Sequence, residues 1–143
     1  MTVNLEKLPM GATGYFTHPD CRLHEMGAGH PECPQRLDAI EDRLLITGLD
    51  QALTRKEAAP ASLTDIELAH GRMYVASLRG LSDALTEEVQ AGGPTHSALD
   101  PDTSMNVHTW QAALRSAGAA LEATDAVLAG RSEEHTSELQ SLR

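Results

Sequence analysis

What limits this chain most is its shortage of strands. Thr13-Gly-Tyr-Phe-Thr17 has β-favouring residues and is a candidate first strand, and a short extended stretch around Leu53–Ala58 is a second. The other periodic segments are helical. Leu37, Ile40, Leu44 and Leu45 share one face of a helix predicted from about 34 to 47, with Pro34 at its opening turn and Gly48 just past its end. Ser62 or Thr64 can cap a second helix, with Asp65 and Glu67 near its positive end. Met73–Leu85 is a third helical pattern, broken by Ala91-Gly-Gly-Pro94. Asp100-Pro-Asp-Thr103 reads as a turn, and Thr103 or Ser104 as the cap of the longest helix, which carries Trp110, Leu114, Ala117, Leu121 and Leu128 roughly on one face. Its interior Ala favours helix and also permits close packing against a sheet. Strand, long loop, helix, strand, helices, loop, long helix is how an α/β domain opens. One or two strands cannot form a sheet that buries these helices, so the pattern predicts a helix-rich and incomplete α/β unit.

Composition supports that reading. With one Trp, one Phe and two Tyr in 143 residues, burial must come from Leu, Ala, Ile, Val and Met. The formal charge of −10 disfavours nucleic acid and anionic membranes as direct partners, because both reward Lys and Arg. Cys21 and Cys33 fit a reducing compartment better than a disulfide framework. No apolar run approaches a membrane span and no basic-then-apolar leader opens the chain, which together predict a cytoplasmic protein.

Three segments fall outside the regular pattern. Residues 1–12 read as a mobile lead-in punctuated by Pro and Gly. Residues 18–33 form a long loop rich in His, Pro, Gly, Cys and Asp, and loops of this length are usually functional or disordered. Residues 131–143 look foreign. Read back into codons, Arg131–Ser141 resembles, in all eleven residues, a short-read sequencing adapter. That similarity implies a natural reading frame diverging near Gly130 and leaves 13–130 as the domain portion. The tail is expected to form a detached helix or coil, since Ser132-Glu-Glu can start a helix.

Within 13–130, the segment His18-Pro-Asp-Cys-Arg-Leu-His24 followed by Gly29-His-Pro-Glu-Cys-Pro-Gln-Arg-Leu37 resembles the amino terminus of the histone deacetylase family. It is most similar to the bacterial deacetylase-like and acetylpolyamine amidohydrolase branch and to class II deacetylases. The likeness continues in order through Ile66-Glu-Leu-Ala-His70, Tyr74-Val75, Leu99-Asp-Pro-Asp-Thr-Ser104, Trp110-Gln-Ala-Ala113 and Ala117-Gly118. It implies the amino-terminal portion of an arginase/deacetylase-like fold, a parallel sheet flanked by helices. The implied chemistry is hydrolysis of acetyl-lysine or acetylpolyamine amides. A zinc ion held by an Asp-x-His pair and a further Asp polarises the carbonyl and activates water, a His pair moves protons, and a Tyr stabilises the oxyanion.

The resemblance also assigns site residues. His30, Pro31 and Glu32 would border the active-site mouth, with Gly29 free to take positive φ and Pro31 biasing His30 towards extended backbone. Arg36 would sit below the metal, near a channel suited to leaving acetate; read without the family, it is an early-helix Arg paired with Asp38 or Glu32. Asp102, with Asp100 as substitute, would be a rim carboxylate accepting from substrate amides; read alone, it is a helix N-terminal acid favoured by the dipole.

His18, Cys21, His24, His30 and Cys33 cluster in sequence, but without paired C-x₂-C and H-x₃-H spacing they are expected to shape a loop rather than bind zinc. His70 reads as a helix-end residue, and His96 and His108 as exposed. No adjacent His-His, no Asp-x-His, no phosphate loop and no G-x-S-x-G occurs. By resemblance the zinc ligands and proton-transfer histidines lie beyond Gly130, so this chain is expected to bind no zinc and to be inactive. A helical binding module using His30, Arg36 and an acidic surface is the alternative. Neither acyl substrate identity nor oligomeric state is readable.

Overall fold

The computed structural model describes residues 12–141, with side chains through Ala129. Except for Ala12, the expected lead-in lies outside the described residues, as do Leu142 and Arg143. β1 (Thr13–Thr17) forms where predicted. A 3₁₀ turn, Pro19–Leu23, then breaks the long loop; the His18 ring caps it by accepting from the Asp20 N–H at 3.1 Å. α1 (Gln35–Thr47) ends where Gly48 turns left-handed at φ 73° and donates its N–H to the Leu45 carbonyl. β2 (Leu53–Glu57) returns parallel to β1, Thr13 facing Leu53 and Thr17 facing Glu57, which completes a β-α-β unit.

One ion cluster ties this unit together. Arg55 donates to Asp50 at 2.7 Å and, in a fork, to both Glu41 oxygens at 3.2 and 2.6 Å, while its guanidinium lies 4.8 Å over the Tyr15 ring. The Tyr15 hydroxyl also donates to Glu41, at 3.0 Å. The Arg55 hydrogen bonds, followed by that from Tyr15, hold the Glu41 carboxyl below its usual pKa against the opposing effect of burial.

α2 (Leu63–Ala69) starts at Ser62 rather than Thr64. The Ser62 hydroxyl accepts from the Asp65 N–H and the Asp65 carboxylate accepts from the Ser62 N–H, a reciprocal capping box. α3 (Arg72–Gln90) runs past Leu85, because Thr86-Glu-Glu-Val-Gln continues the helix up to the predicted Gly-Gly break.

Two expectations are corrected at the next elements. Thr103 and Ser104 do not cap the long helix; they open β4 (Thr103–Asn106), which pairs antiparallel with β3 (His96–Asp100). The predicted turn is therefore a hairpin tip, with Pro101 and Asp102 between the paired Asp100 and Thr103. Pro101 supplies the fixed φ of a tight turn, and Asp100 Oδ1 accepts from the Asp102 N–H at 2.8 Å. The long helix, α4 (Thr109–Ser141), begins later and continues unbroken through Gly130, so residues 131–141 extend it instead of forming a separate helix or coil. Arg131–Ser141 contains neither Pro nor Gly to stop it.

The core is small. Ala58, Leu85 and Met105 are fully buried and Val75, Ala61 and Ala112 nearly so, joining α3, β4, α4 and the strap that follows β2. That strap lies directly on α4. The Ala61 N–H donates to the Leu114 carbonyl at 2.9 Å, Arg115 to the Ala58 carbonyl at 2.8 Å, and the Ala59 N–H to Glu122 at 2.9 Å. Gly118 permits this approach, since a Cβ there would meet the Ala59 carbonyl oxygen at 1.8 Å.

The outer helix faces are uncovered among the described residues, as the strand shortage predicts. Of the apolar face read for α1, Leu37 and Leu44 are half-buried while Ile40 and Leu45 are exposed. Ile46 is 79% and Leu68 85% exposed, and on α4 Trp110, Leu114 and Ala117 are half-buried but Leu121 and Leu128 are exposed. No helix among the described residues is long and apolar enough to cross a membrane.

Candidate functional site

A cleft of about 460 Å³ opens between β1, the first turn of α1 and α4, with the loop of residues 18–33 as its lip. Cys21, His24, Glu32, Cys33, Arg36 and Thr109 line it, and its α4 wall is floored by Ala and Ser side chains. Small residues on α4 keep this space open.

The lip is anchored at its base by Asn106, the last residue of β4, which is only 6% exposed. Its amide donates to the Leu23 carbonyl at 2.8 Å, and its Oδ1 accepts from the His108 N–H at 3.0 Å and from the Thr109 hydroxyl at 3.1 Å. Thr109 Oγ1 also lies 2.9 Å from His24 Nδ1. One buried amide thus joins the 3₁₀ turn, the hairpin and the start of α4. Arg115 adds a second anchor by donating to Asp20 at 3.1 Å. Cys21 points its sulfur at the Ala112 carbonyl, 3.8 Å away, and burial, then the Asp20 charge, pushes its thiol pKa up.

Further along the lip, Gly29 adopts φ +82°, the left-handed geometry its sequence position suggests. The His30 ring folds back so that Nδ1 accepts from the Glu32 N–H at 3.0 Å. Its Nε2 then faces Asp102 Oδ1 at 3.7 Å. Glu32 in turn pairs with Arg36 in the first turn of α1. Four of the five sequence-derived candidates therefore form one continuous run, Asp102–His30–Glu32–Arg36, from the hairpin tip down into the cleft. Pro31 lies within the turn and is exposed.

The alternative readings of these residues resolve unevenly. Arg36 does pair with Glu32 and not with Asp38, which bridges to Arg22 at 2.7 Å. The helix-dipole reading of Asp102 fails, because α4 starts only at Thr109 and Asp102 stands on the hairpin tip with its side chain 98% exposed. Asp100 is engaged within the turn, its carboxyl held below the usual pKa first by the Asp102 N–H and then by the Thr103 hydroxyl. Asp102 is thus the acceptor offered outward.

His70 caps the end of α2 and His108 is exposed, as read from sequence. His96 is not exposed as expected. It opens β3 half-buried, with Nδ1 2.9 Å from Thr95 Oγ1 and Nε2 2.9 Å from Glu25 Oε1. Its Nε2 is screened from solvent, and the Glu25 carboxylate approaches it closely outside hydrogen-bond geometry. Sequence reasoning passed over Asn106, Thr109 and the Glu25–His96 pair, which only tertiary structure brings together.

Among the described residues, no three His, Cys, Asp or Glu side chains come together to hold a metal ion. Cys21, His24 and His30 each take another partner instead. The zinc implied by the family resemblance therefore does not fit this donor set, and no step through it follows from these residues.

The family model for the histone deacetylase domain matches residues 30–139, and the chain belongs to that family. It is 34% identical over 106 residues to the histone deacetylase-like amidohydrolase of Pseudomonas aeruginosa, covering 74% of this chain and 25% of that protein. Identity is also 34% over 122 residues with the human polyamine deacetylase HDAC10, covering 82% of this chain and 18% of that one. A probable deacetylase of Archaeoglobus fulgidus is 32% identical over 118 residues, covering 81% and 30%. The solved HDA15 HD domain shares the fold at TM-score 0.65 and 24% identity, covering 84% of this chain and 33% of that one. The chain thus spans a third or less of each of these proteins.

Proposed function

We propose that this chain supplies the amino-terminal, substrate-facing part of a cytoplasmic zinc-dependent amidohydrolase that removes acetyl groups from lysine or polyamine amides. The observation that carries this reading is the run from Asp102 to Arg36. It offers an exposed carboxylate at the rim, suited to accept from substrate N–H groups, and a guanidinium in the cleft, suited to a carboxylate product such as acetate. Names of relatives as a polyamine deacetylase and a deacetylase-like amidohydrolase support the substrate class. When bound, zinc would polarise the amide carbonyl and activate water. Its ligands and the proton-transfer histidines are assigned to sequence beyond this chain, so the chain alone is proposed to bind no zinc and to hydrolyse nothing. In the same reading residues 131–143 are foreign to the domain.

The test is to recover the uninterrupted reading frame past Gly130 and assay its product. It should encode a His-His pair, then Asp-x-His and a later Asp. The product should release acetate from an acetyl-lysine peptide or an acetylpolyamine in a chelator-sensitive manner, while the 143-residue chain should not. A frame without those residues, or activity from the short chain alone, would refute the proposal.

A further inference from the structure

Two histidine–carboxylate contacts join the lip to the β3–β4 hairpin, and they run in opposite senses. At the base of the hairpin the lip contributes the carboxylate, Glu25 Oε1, 2.9 Å from Nε2 of His96 on β3. At the tip it contributes the imidazole, His30 Nε2, 3.7 Å from Asp102 Oδ1. In both rings Nδ1 is engaged by a near neighbour, Thr95 Oγ1 for His96 and the Glu32 N–H for His30. That engagement turns each Nε2 across the gap towards its carboxylate. His96 begins β3 and Asp102 follows its end, so the two contacts bracket the strand. With Asn106 and Arg115 already anchoring residues 20–24 of the lip, these two contacts tie its remainder to both ends of the strand.

We infer that Glu25 and His96 are positioning residues, which act through the His30–Asp102 contact to hold the Asp102 carboxylate in place against the lip of the cleft. The functional meaning of that rim rests on the deacetylase reading, but the clamp itself is a property of this chain and is testable without substrate or zinc.

The experiment compares the 143-residue chain with Glu25→Gln, His96→Gln, their double variant, and the exchanged pair Glu25→His with His96→Glu. Two readouts report on the far contact: the His30 ring signals in NMR spectra, and hydrogen exchange of the Glu32 N–H bonded to His30. Each single variant should shift the His30 ring signals and speed Glu32 exchange by about two- to fivefold, the range expected for a partly exposed polar side-chain contact. The double variant should exceed neither single, and the exchanged pair should return both readouts to native values, which a merely structural loss would not do. Amides of the β1–β2 pair serve as the control for intact folding. Should a Gln variant also free those amides, the exchanged pair, which keeps both residue types, decides. His30 signals unmoved by either single variant, additive effects in the double, or no recovery in the exchanged pair would overturn the inference. Such a failure would leave the deacetylase reading standing, and absence of deacetylation in the extended protein would leave the clamp standing.

Discussion

Replacing Gly118 with Ala should destabilise the chain although it improves helix propensity. The added Cβ would lie 1.8 Å from the Ala59 carbonyl oxygen, 2.9 Å from the Ala61 nitrogen and 3.0 Å from the Ala59 carbonyl carbon. A tolerable carbon–oxygen contact is about 3.3 Å, so the strap must retreat by about 1.5 Å. These are backbone atoms, and no rotamer change relieves the clash. The retreat takes the Ala61–Leu114 bond, now 2.9 Å, out of hydrogen-bond range and disturbs Arg115 on Ala58 and Ala59 on Glu122. Each such bond contributes about 0.5–1.5 kcal/mol net, while Ala in place of Gly returns about 1 kcal/mol of helix propensity. The expected balance is a loss of about 1–3 kcal/mol, read by urea melts in far-UV circular dichroism. Faster hydrogen exchange at the Ala61 amide should accompany it. Gly80 is the control, because it sits inside α3 and a Cβ there would meet nothing within 4 Å. Gly80→Ala should stabilise by about 0.5–1 kcal/mol. Equal signs at the two glycines, or a Gly118→Ala chain as stable as the native one, would refute the close-approach argument.

Asn106→Ala should cost about 1–3 kcal/mol, since it strands the Leu23 carbonyl and the His108 N–H. It should also speed alkylation of Cys21, whose turn it anchors, which a thiol-labelling time course would show. Ser62→Ala removes one half of the capping box and should cost about 1 kcal/mol by urea melt, with fraying confined to α2 amides. Glu41 is held below its ordinary value, so its contribution to folding is present above the ordinary glutamate pKa of 4.5 and is lost as pH falls below that value towards its folded pKa. An acid titration of the native chain should therefore show a loss over that window that flattens in Arg55→Ala; an unchanged profile would remove Arg55 as the cause.

Sequence reasoning went furthest where one residue type has one physical job. Gly48 closes α1, Gly-Gly-Pro ends α3, and Ser62 opens α2 as one of the two caps its sequence offered, each a local rule read locally. The hairpin was missed because Asp100-Pro-Asp-Thr103 is equally good as a turn tip and as a helix start. What decides is pairing: His96–Asp100 finds Thr103–Asn106 across the tip, which no local signal announces. Arg36, Asp102 and His30 were legible only through family likeness, and their meeting depends on the separation of 72 residues between His30 and Asp102 being closed by the fold. Asn106 and His96 carry no sequence signal at all, since a polar residue in a short strand is ordinarily solvated.

The small residues of α4 acquire a different meaning from this geometry. Read along the sequence, its Ala content is helix propensity. In the structure, Gly118 admits the strap, Ala112 receives the Cys21 thiol on its carbonyl, and Ala113, Ser116 and Ala119 floor the cleft. Large side chains at these positions would strengthen a thin hydrophobic core, yet they would push away the backbone segments that bear the rim. The helix therefore trades apolar burial for backbone approach, and hydrogen bonds to Leu114, Arg115 and Glu122 do the holding that side-chain packing would otherwise do. That exchange explains how so few fully buried side chains among the described residues can still fix the run from Asp102 to Arg36 in one orientation.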